Sequence, residues 1–321
     1  MSPKGRWTLI AVLSVVELAL LGAMLHSVGL AGGASEADGR RFMMGAPVFA
    51  STPSQTFEKT FDNMSATPSV YVDDNDAELT LTVKSGSSVS VREQTSHGGW
   101  MHRSGGKLDV SQTGDHLRIV RSDETLTMMF GSLHRTLQLV VPPGTHLEVA
   151  NAGKIDVTGL RENVLLHSDN GAIYVHDHRA EITATSSNGR IELHDVVAAA
   201  VEATSDNGRI VLDNVRADAL AVKADNGRIT GSQVLTSGGS IIASNGRVLL
   251  GLAQGSDITV TASAASGHVR AESPFTFDAV PSSDDDDDGK PRTLRIGNGT
   301  GKLAVSTDNG SITISQGEVS L

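Results

Sequence analysis

Ser186-Ser187-Asn188-Gly189-Arg190-Ile191-Glu192-Leu193 is a phrase that the chain repeats. It returns as Ser168-Asp169-Asn170-Gly171, Ser205-Asp206-Asn207-Gly208-Arg209-Ile210, Ala224-Asp225-Asn226-Gly227-Arg228-Ile229 and Ala243-Ser244-Asn245-Gly246-Arg247-Val248. The asparagines fall at 170, 188, 207, 226 and 245, so the period is 18 or 19 residues. Asn151-Ala152-Gly153-Lys154-Ile155 extends the series backwards, and Ser266-Gly267-His268-Val269 and Asp308-Asn309-Gly310-Ser311-Ile312 echo it forwards. Self-similarity at a fixed period of this size marks a solenoid or an array.

Alignment on the glycine shows which positions face inward. Two residues after it stand Ile155, Ile173, Ile191, Ile210, Ile229, Val248 and Ile312; four after it stand Val157, Val175, Leu193, Leu212, Leu250 and Ile314. Seven before it are Val164, Ile182, Val201 and Leu220, and five before it Leu166, Ala184, Ala203, Val222 and Ile241. This is the period-2 alternation of half-buried strands, rich in β-branched residues. A further apolar column seven after the glycine (Leu160, Val196, Val215, Val234) predicts a third short inward element. Three before the glycine the residue is always small, which suits a tight corner, and Asn-Gly is expected to supply a positive φ there.

Asn-Gly is also the strongest two-residue hairpin signal, so an antiparallel meander is the rival reading. The solenoid is favoured because the columns match by residue type: coil on coil puts Ile on Ile and Asn on Asn. A meander would gain nothing from that identity. The expectation is an all-β, parallel β-solenoid with coils of about 18–19 residues, in which Asn170, Asn188, Asn207, Asn226 and Asn245, with Gly171, Gly189, Gly208, Gly227 and Gly246, form a structural turn ladder.

The 321 residues contain no Cys, which rules out a disulfide framework and thiolate chemistry. A formal net charge of −11 argues against general nucleic-acid binding. Residues 1–6 carry Lys4 and Arg6 and read as a cytoplasmic tail. Residues 7–29 read as a single transmembrane helix or uncleaved signal anchor, since Trp7 to Leu25 is long and apolar enough to span a bilayer. The basic residues before it favour an N-terminus inside and the rest outside. The rival is a cleaved signal peptide processed near Ala31-Gly32-Gly33-Ala34. Residues 30–54, rich in Gly, Ala, Ser and Pro, read as a flexible linker. Residues 55–145 alternate as strands but at irregular spacing and are expected to form opening coils or a cap. Residues 146–321 carry the regular repeats, interrupted by an acidic loop at 282–291 that includes Asp284 to Asp288. That run lacks the alternating ligand spacing of a Ca²⁺ loop and reads as solvated.

Thr56-Phe57-Glu58-Lys59-Thr60-Phe61 at the opening, Leu139-Val140-Val141-Pro142-Pro143-Gly144-Thr145 midway and the serial [Ser/Ala]-[Asp/Ser]-Asn-Gly-x-Ile phrases together resemble the bacterial putative-adhesin domain family of unknown function. The resemblance covers about residues 55 to 321. It implies a β-rich repeat domain, often carried on a membrane anchor, and implies little about activity.

Stacking also predicts the most unusual surface feature. Arg190, Arg209, Arg228 and Arg247 each follow the corner glycine, with Lys154 in the same column. Coils about 4.8 Å apart would align them as a ladder. Asp206 and Asp225, three residues before Arg209 and Arg228, offer carboxylates that could simply neutralise it. The functional reading is a linear ligand site for an anionic polymer, because Arg binds phosphate, sulfate or carboxylate bidentately. His176-Asp177-His178 places two imidazoles two apart on one strand face, with His167 and His194 in nearby coils; with no fixed third ligand this is a weak metal signal, and no metal is assigned. No cofactor is expected either. Polysaccharide-cleaving β-helices need long loops to build a cleft, and coils this short leave none, nor is there a nucleophile-elbow or zincin motif. The chain therefore reads as a non-enzymatic, membrane-anchored scaffold of the bacterial cell envelope, binding a surface polymer or an envelope protein. The alternative is an accessory of envelope stress sensing or assembly, acting through Glu17 of the anchor helix and a protein partner.

Overall fold

The computed structural model describes residues 55–99, 106–122, 131–277 and 290–317. All belong to one compact unit, Ala50–Leu321. The tail, anchor and linker expected over 1–54, Glu17 included, and the acidic run Asp284 to Asp288 lie outside the described residues. Among the described residues no helix is long and apolar enough to cross a membrane.

The described residues form nineteen strands. The opening segment gives β1 (Gln55–Phe61), β2 (Ser69–Val83), β3 (Val89–Gly99), β4 (Leu108–Thr113), β5 (His116–Arg121) and β6 (Gly131–Val141). The repeats give β7 (His146–Thr158), β8 (Val164–Ser168), β9 (Ile173–His178), β10 (Ile182–Ser186), β11 (Ile191–Ser205), β12 (Ile210–Ala224), β13 (Ile229–Asn245) and β14 (Val248–Leu252). The last segment gives β15 (Ile258–Ser266), β16 (Val269–Ala271), β17 (Arg292–Ile296), β18 (Gly301–Asn309) and β19 (Ile312–Gln316).

Pairing between repeats is parallel and in register. Ile191 lies beside Ile210 and Ile210 beside Ile229, while Val201 lies beside Leu220 and Ala203 beside Val222. A meander of Asn-Gly hairpins is thereby excluded for the repeats, and the solenoid-like stack stands. The four inward columns and the fifth, Leu160–Val196–Val215–Val234, are buried in one continuous core. Each fully buried Val, Leu or Ile side chain contributes about 1.5–3 kcal/mol, and every regular coil adds several of them to the core.

The corner differs from the expectation in one respect. Neither Asn nor Gly of the regular repeat corners takes a positive φ; the left-handed residue lies six positions after the glycine, at Gly159, Asp177, Asp195, Asn214 and Gln233 (φ 84, 47, 54, 52 and 53°). A parallel coil needs a shallow bend at Asn-Gly, not a reversal, and turns sharply only later. Glycine is demanded at the corner by close approach. A Cβ on Gly208 would lie 1.8 Å from the Gly189 carbonyl oxygen, and one on Gly227 1.8 Å from that of Gly208.

Stacking does not follow the chain at either end. β2 pairs with β7 on one side (Val70 beside Leu147, Leu79 beside Ile155) and with β5 and β6 on the other (Val70 beside Leu117, Leu79 beside Leu137). The second coil in sequence is thus outermost. At the far end β18 lies between β13 and β15, and β19 between β14 and β16, so the last coil in sequence sits inside the one before it. Antiparallel strands cover much of the outer rims, with β4 on β5, β3 on β6, β1 on β3, and β17 on β15. Such covering blunts edges that would otherwise template aggregation. At the first end half-buried Arg121 donates from Nε and Nη2 to the two carboxylate oxygens of Asp74 (both 2.8 Å), from Nη2 to Glu93, and from Nη1 to the Gly106 carbonyl (2.7 Å). Burial alone would lower the Arg121 pKa, but Asp74 and Glu93 together raise it.

Candidate functional site: a basic column beside the asparagine ladder

The corner is built from three side-by-side ladders. Asn188 Nδ2 donates to Asn170 Oδ1 (3.0 Å), Asn207 to Asn188 (2.9 Å), Asn226 to Asn207 (3.1 Å), Asn245 to Asn226 (3.0 Å) and Asn309 to Asn245 (2.9 Å). Beneath them, in the coils of Gly171, Gly189 and Gly208, a buried serine ties the corner to the previous coil. Ser186 Oγ accepts the Gly189 N–H (2.9 Å) and donates to the Gly171 carbonyl (3.3 Å); Ser205 does the same between Gly208 (2.9 Å) and Gly189 (3.1 Å). Ser168 likewise accepts the Gly171 N–H (2.9 Å).

The third ladder is the basic column. The Ile173 N–H donates to the Arg190 carbonyl (2.9 Å), Ile191 to Arg209, Ile210 to Arg228 and Ile229 to Arg247 (3.0 Å each). With the isoleucines buried, strand alternation sends each arginine side chain outward. The same bonds from Ile155, Val248 and Ile312 set the column order as Lys154, Ala172, Arg190, Arg209, Arg228, Arg247, Ser311 and His268. All four arginines are exposed.

Neutralisation by Asp206 and Asp225 does not occur. Asp225 pairs with Lys223 (3.1 Å), and Arg190 pairs with Glu192 two residues on in the same coil (2.7 Å). Among the described residues Arg209, Arg228 and Arg247 have no carboxylate partner. Lys154 lies over the Tyr174 ring, 5.4 Å from its centroid. Two residues along the strand from the arginines, Val211, Thr230 and Leu249 make a strip of little polarity, with Thr230 buried.

The histidines do not converge. His176 stacks on His194, ring centroids 5.1 Å apart, and His194 Nδ1 lies 3.3 Å from Asp213 Oδ2. His167 pairs instead with Asp169 (3.2 Å). His178 points inward, fully buried, because the left-handed Asp177 between them breaks the alternation that would have kept both imidazoles on one face. Among the described residues no group of three or more His, Asp or Glu is placed to hold a metal.

A second feature escaped the sequence reading. On the third side of the stack an open groove of about 740 Å³ is lined by Arg179, Val197, Arg216 and Leu235 together with Glu181 and Asp218. Its signal was the column eight residues after the glycine, which does not repeat by residue type and so does not stand out.

A stack of short parallel coils whose polar chemistry lies on exposed columns defines a repeat-scaffold domain. The chain belongs to the DUF4097 family, whose model, described as Toastrack DUF4097, matches residues 69–315. Among solved structures it is similar to a putative cell adhesion protein from Clostridium sporogenes (8% identity, 82% of this chain and 100% of that one, TM-score 0.27). It is also similar to putative adhesins from Bacteroides fragilis (10%, 82% and 97%, 0.41) and Parabacteroides distasonis (9%, 82% and 97%, 0.39). No curated protein matches the chain.

Proposed function

We propose that this protein is a non-enzymatic binding scaffold, held at the outer side of the cytoplasmic membrane by residues 7–29, whose basic column engages an anionic polymer or protein of the bacterial cell envelope. The observation that carries the reading is the run Arg209–Arg228–Arg247: three exposed arginines on successive coils whose strands stack about 4.8 Å apart, without carboxylate partners among the described residues, on a chain of net charge −11. Unpaired arginines in a fixed row keep their bidentate donors free for phosphate, sulfate or carboxylate. Their spacing is set by the backbone, so a linear ligand would meet charges already in place.

The test is retention of the purified full-length chain on immobilised anionic polymers at low and at physiological salt, beside Arg190/Arg209/Arg228/Arg247→Ser. The expected outcome is retention that weakens with salt and disappears in the variant while its circular dichroism is unchanged. Equal retention of the variant would remove the basic column from the reading. The alternative of a partner acting through the anchor is favoured by Glu17 in the apolar run; it predicts loss of function on Glu17→Leu with the arginine variant intact.

A further inference from the structure

The sequence holds seven Asn-Gly pairs, beginning at Asn170, Asn188, Asn207, Asn226, Asn245, Asn298 and Asn309. Asn-Gly is the dipeptide most open to attack of a backbone nitrogen on the neighbouring side-chain amide, because glycine puts no side chain in the way. Whether the attack occurs depends on how firmly that glycine nitrogen is held, and here the seven separate into two groups.

In five pairs the glycine N–H donates a hydrogen bond. Gly171, Gly189 and Gly208 donate to Ser168, Ser186 and Ser205 Oγ, each at 2.9 Å. Gly310 donates to the Ser266 carbonyl (3.0 Å), and Gly299 to Asp257 Oδ1 (2.6 Å). In the coils of Gly227 and Gly246 the serine is replaced by Ala224 and Ala243, which are buried and have no hydroxyl. Neither the Gly227 nor the Gly246 N–H has a partner among the described residues. Asn226 and Asn245 are both exposed to water.

We infer that Asn226 and Asn245 are sites of spontaneous deamidation, and that the other five Asn-Gly pairs are protected by the bond on their glycine nitrogen. In the reaction the Gly227 nitrogen, having lost its proton to solvent hydroxide, forms a bond to Asn226 Cγ. The Cγ–Nδ2 bond breaks and the nitrogen leaves as ammonia, giving a succinimide ring. Water then opens the ring at one carbonyl or the other, yielding aspartate or isoaspartate without oxidation or reduction. Asn245 reacts in the same way through Gly246.

Both outcomes alter the corner. An aspartate at 226 cannot donate to Asn207 Oδ1, so the ladder is cut, and it sets a negative charge two residues from Arg228 and one coil from Arg209 and Arg247. Isoaspartate lengthens the main chain by one carbon at the point where neighbouring coils are in closest contact.

The test is incubation of the folded full-length protein at mildly alkaline pH and 37 °C, followed by peptide mapping with a separation that resolves isoaspartate. Conversion at Asn226 and Asn245 is expected to outpace that at Asn170, Asn188 and Asn207 by about fivefold, the rate equivalent of one neutral hydrogen bond. Ala224→Ser and Ala243→Ser should slow their own coils to the rate of the others. Ser205→Ala, which copies a residue already present at that position in two coils, should accelerate Asn207. Equal rates at all corner asparagines overturn the inference. So does the absence of conversion at 226 and 245 under conditions that convert an unfolded Asn-Gly peptide completely.

Discussion

His178 occupies a place in the core column that Leu160, Val196 and Val215 fill with aliphatic side chains. Its ring is fully buried and, among the described residues, neither nitrogen has a side-chain partner. Burial pushes its pKa down from 6.5 to about 4, outweighing the backbone groups of Glu181 and Ala180. The unfolded chain therefore binds a proton between pH 6.5 and 4 that the folded chain refuses. Stability is complete above pH 6.5, falls as pH drops through that window, and levels off below about 4, a loss of about 3 kcal/mol. Urea midpoints measured from pH 7 to 4 should show this decline, and His178→Val should flatten it and raise the midpoint at pH 7. Parallel curves for the two proteins would show that His178 is not the titrating group. Sequence reading put His176 and His178 on one face because nothing marks Asp177 as left-handed. The column it belongs to runs Gly, Asp, Asp, Asn, Gln, types that tolerate the conformation without announcing it.

At the level of the coil, the reasons for the repeat were legible and one was misassigned. Matching columns of Ile, Leu and Val announce coil-on-coil stacking because parallel in-register pairing is the arrangement that places a residue type on itself. The asparagine ladder follows from the same identity. The glycine was credited with backbone freedom, whereas its carbonyl and its missing Cβ set how closely coils approach. Gly208→Ala is therefore expected to force two coils apart and destabilise the domain by about 3 kcal/mol, the upper range for overpacking, read as a lower urea midpoint. Gly255→Ala, where φ is 89° but a Cβ would meet nothing within 4 Å, should cost about 1 kcal/mol from strain alone. A Gly208→Ala protein as stable as the parent would mean that the corner is looser than the carbonyl contacts imply. The basic column was likewise visible from the period, but its freedom from Asp206 and Asp225 was not, since side-chain pairing across a corner depends on geometry that spacing does not carry.

Across the whole molecule, the order of stacking was the part that sequence could not supply. Residues 55–145 alternate correctly, but no residue type says that β2 will be covered by β5 and β6 on one side and by β7 on the other. In a stack where stability passes from neighbour to neighbour, position in space decides protection. Hydrogen exchange should find β18 and β19, the last strands in sequence, as slow as β12, while β4, β16 and β17 at the rims exchange first. Early exchange across residues 301–316 would contradict the inserted position of the final coil. The same crossing bears on how such a domain changes length over evolution. A repeat duplicated at either end of the coding segment would meet no open coil to extend, because both terminal coils are already enclosed. Copies gained or lost in the interior, among the near-identical units from Gly171 to Gly246, fit without disturbing either closure. Descendants of this domain should therefore differ in the number of middle repeats and keep the two ends constant.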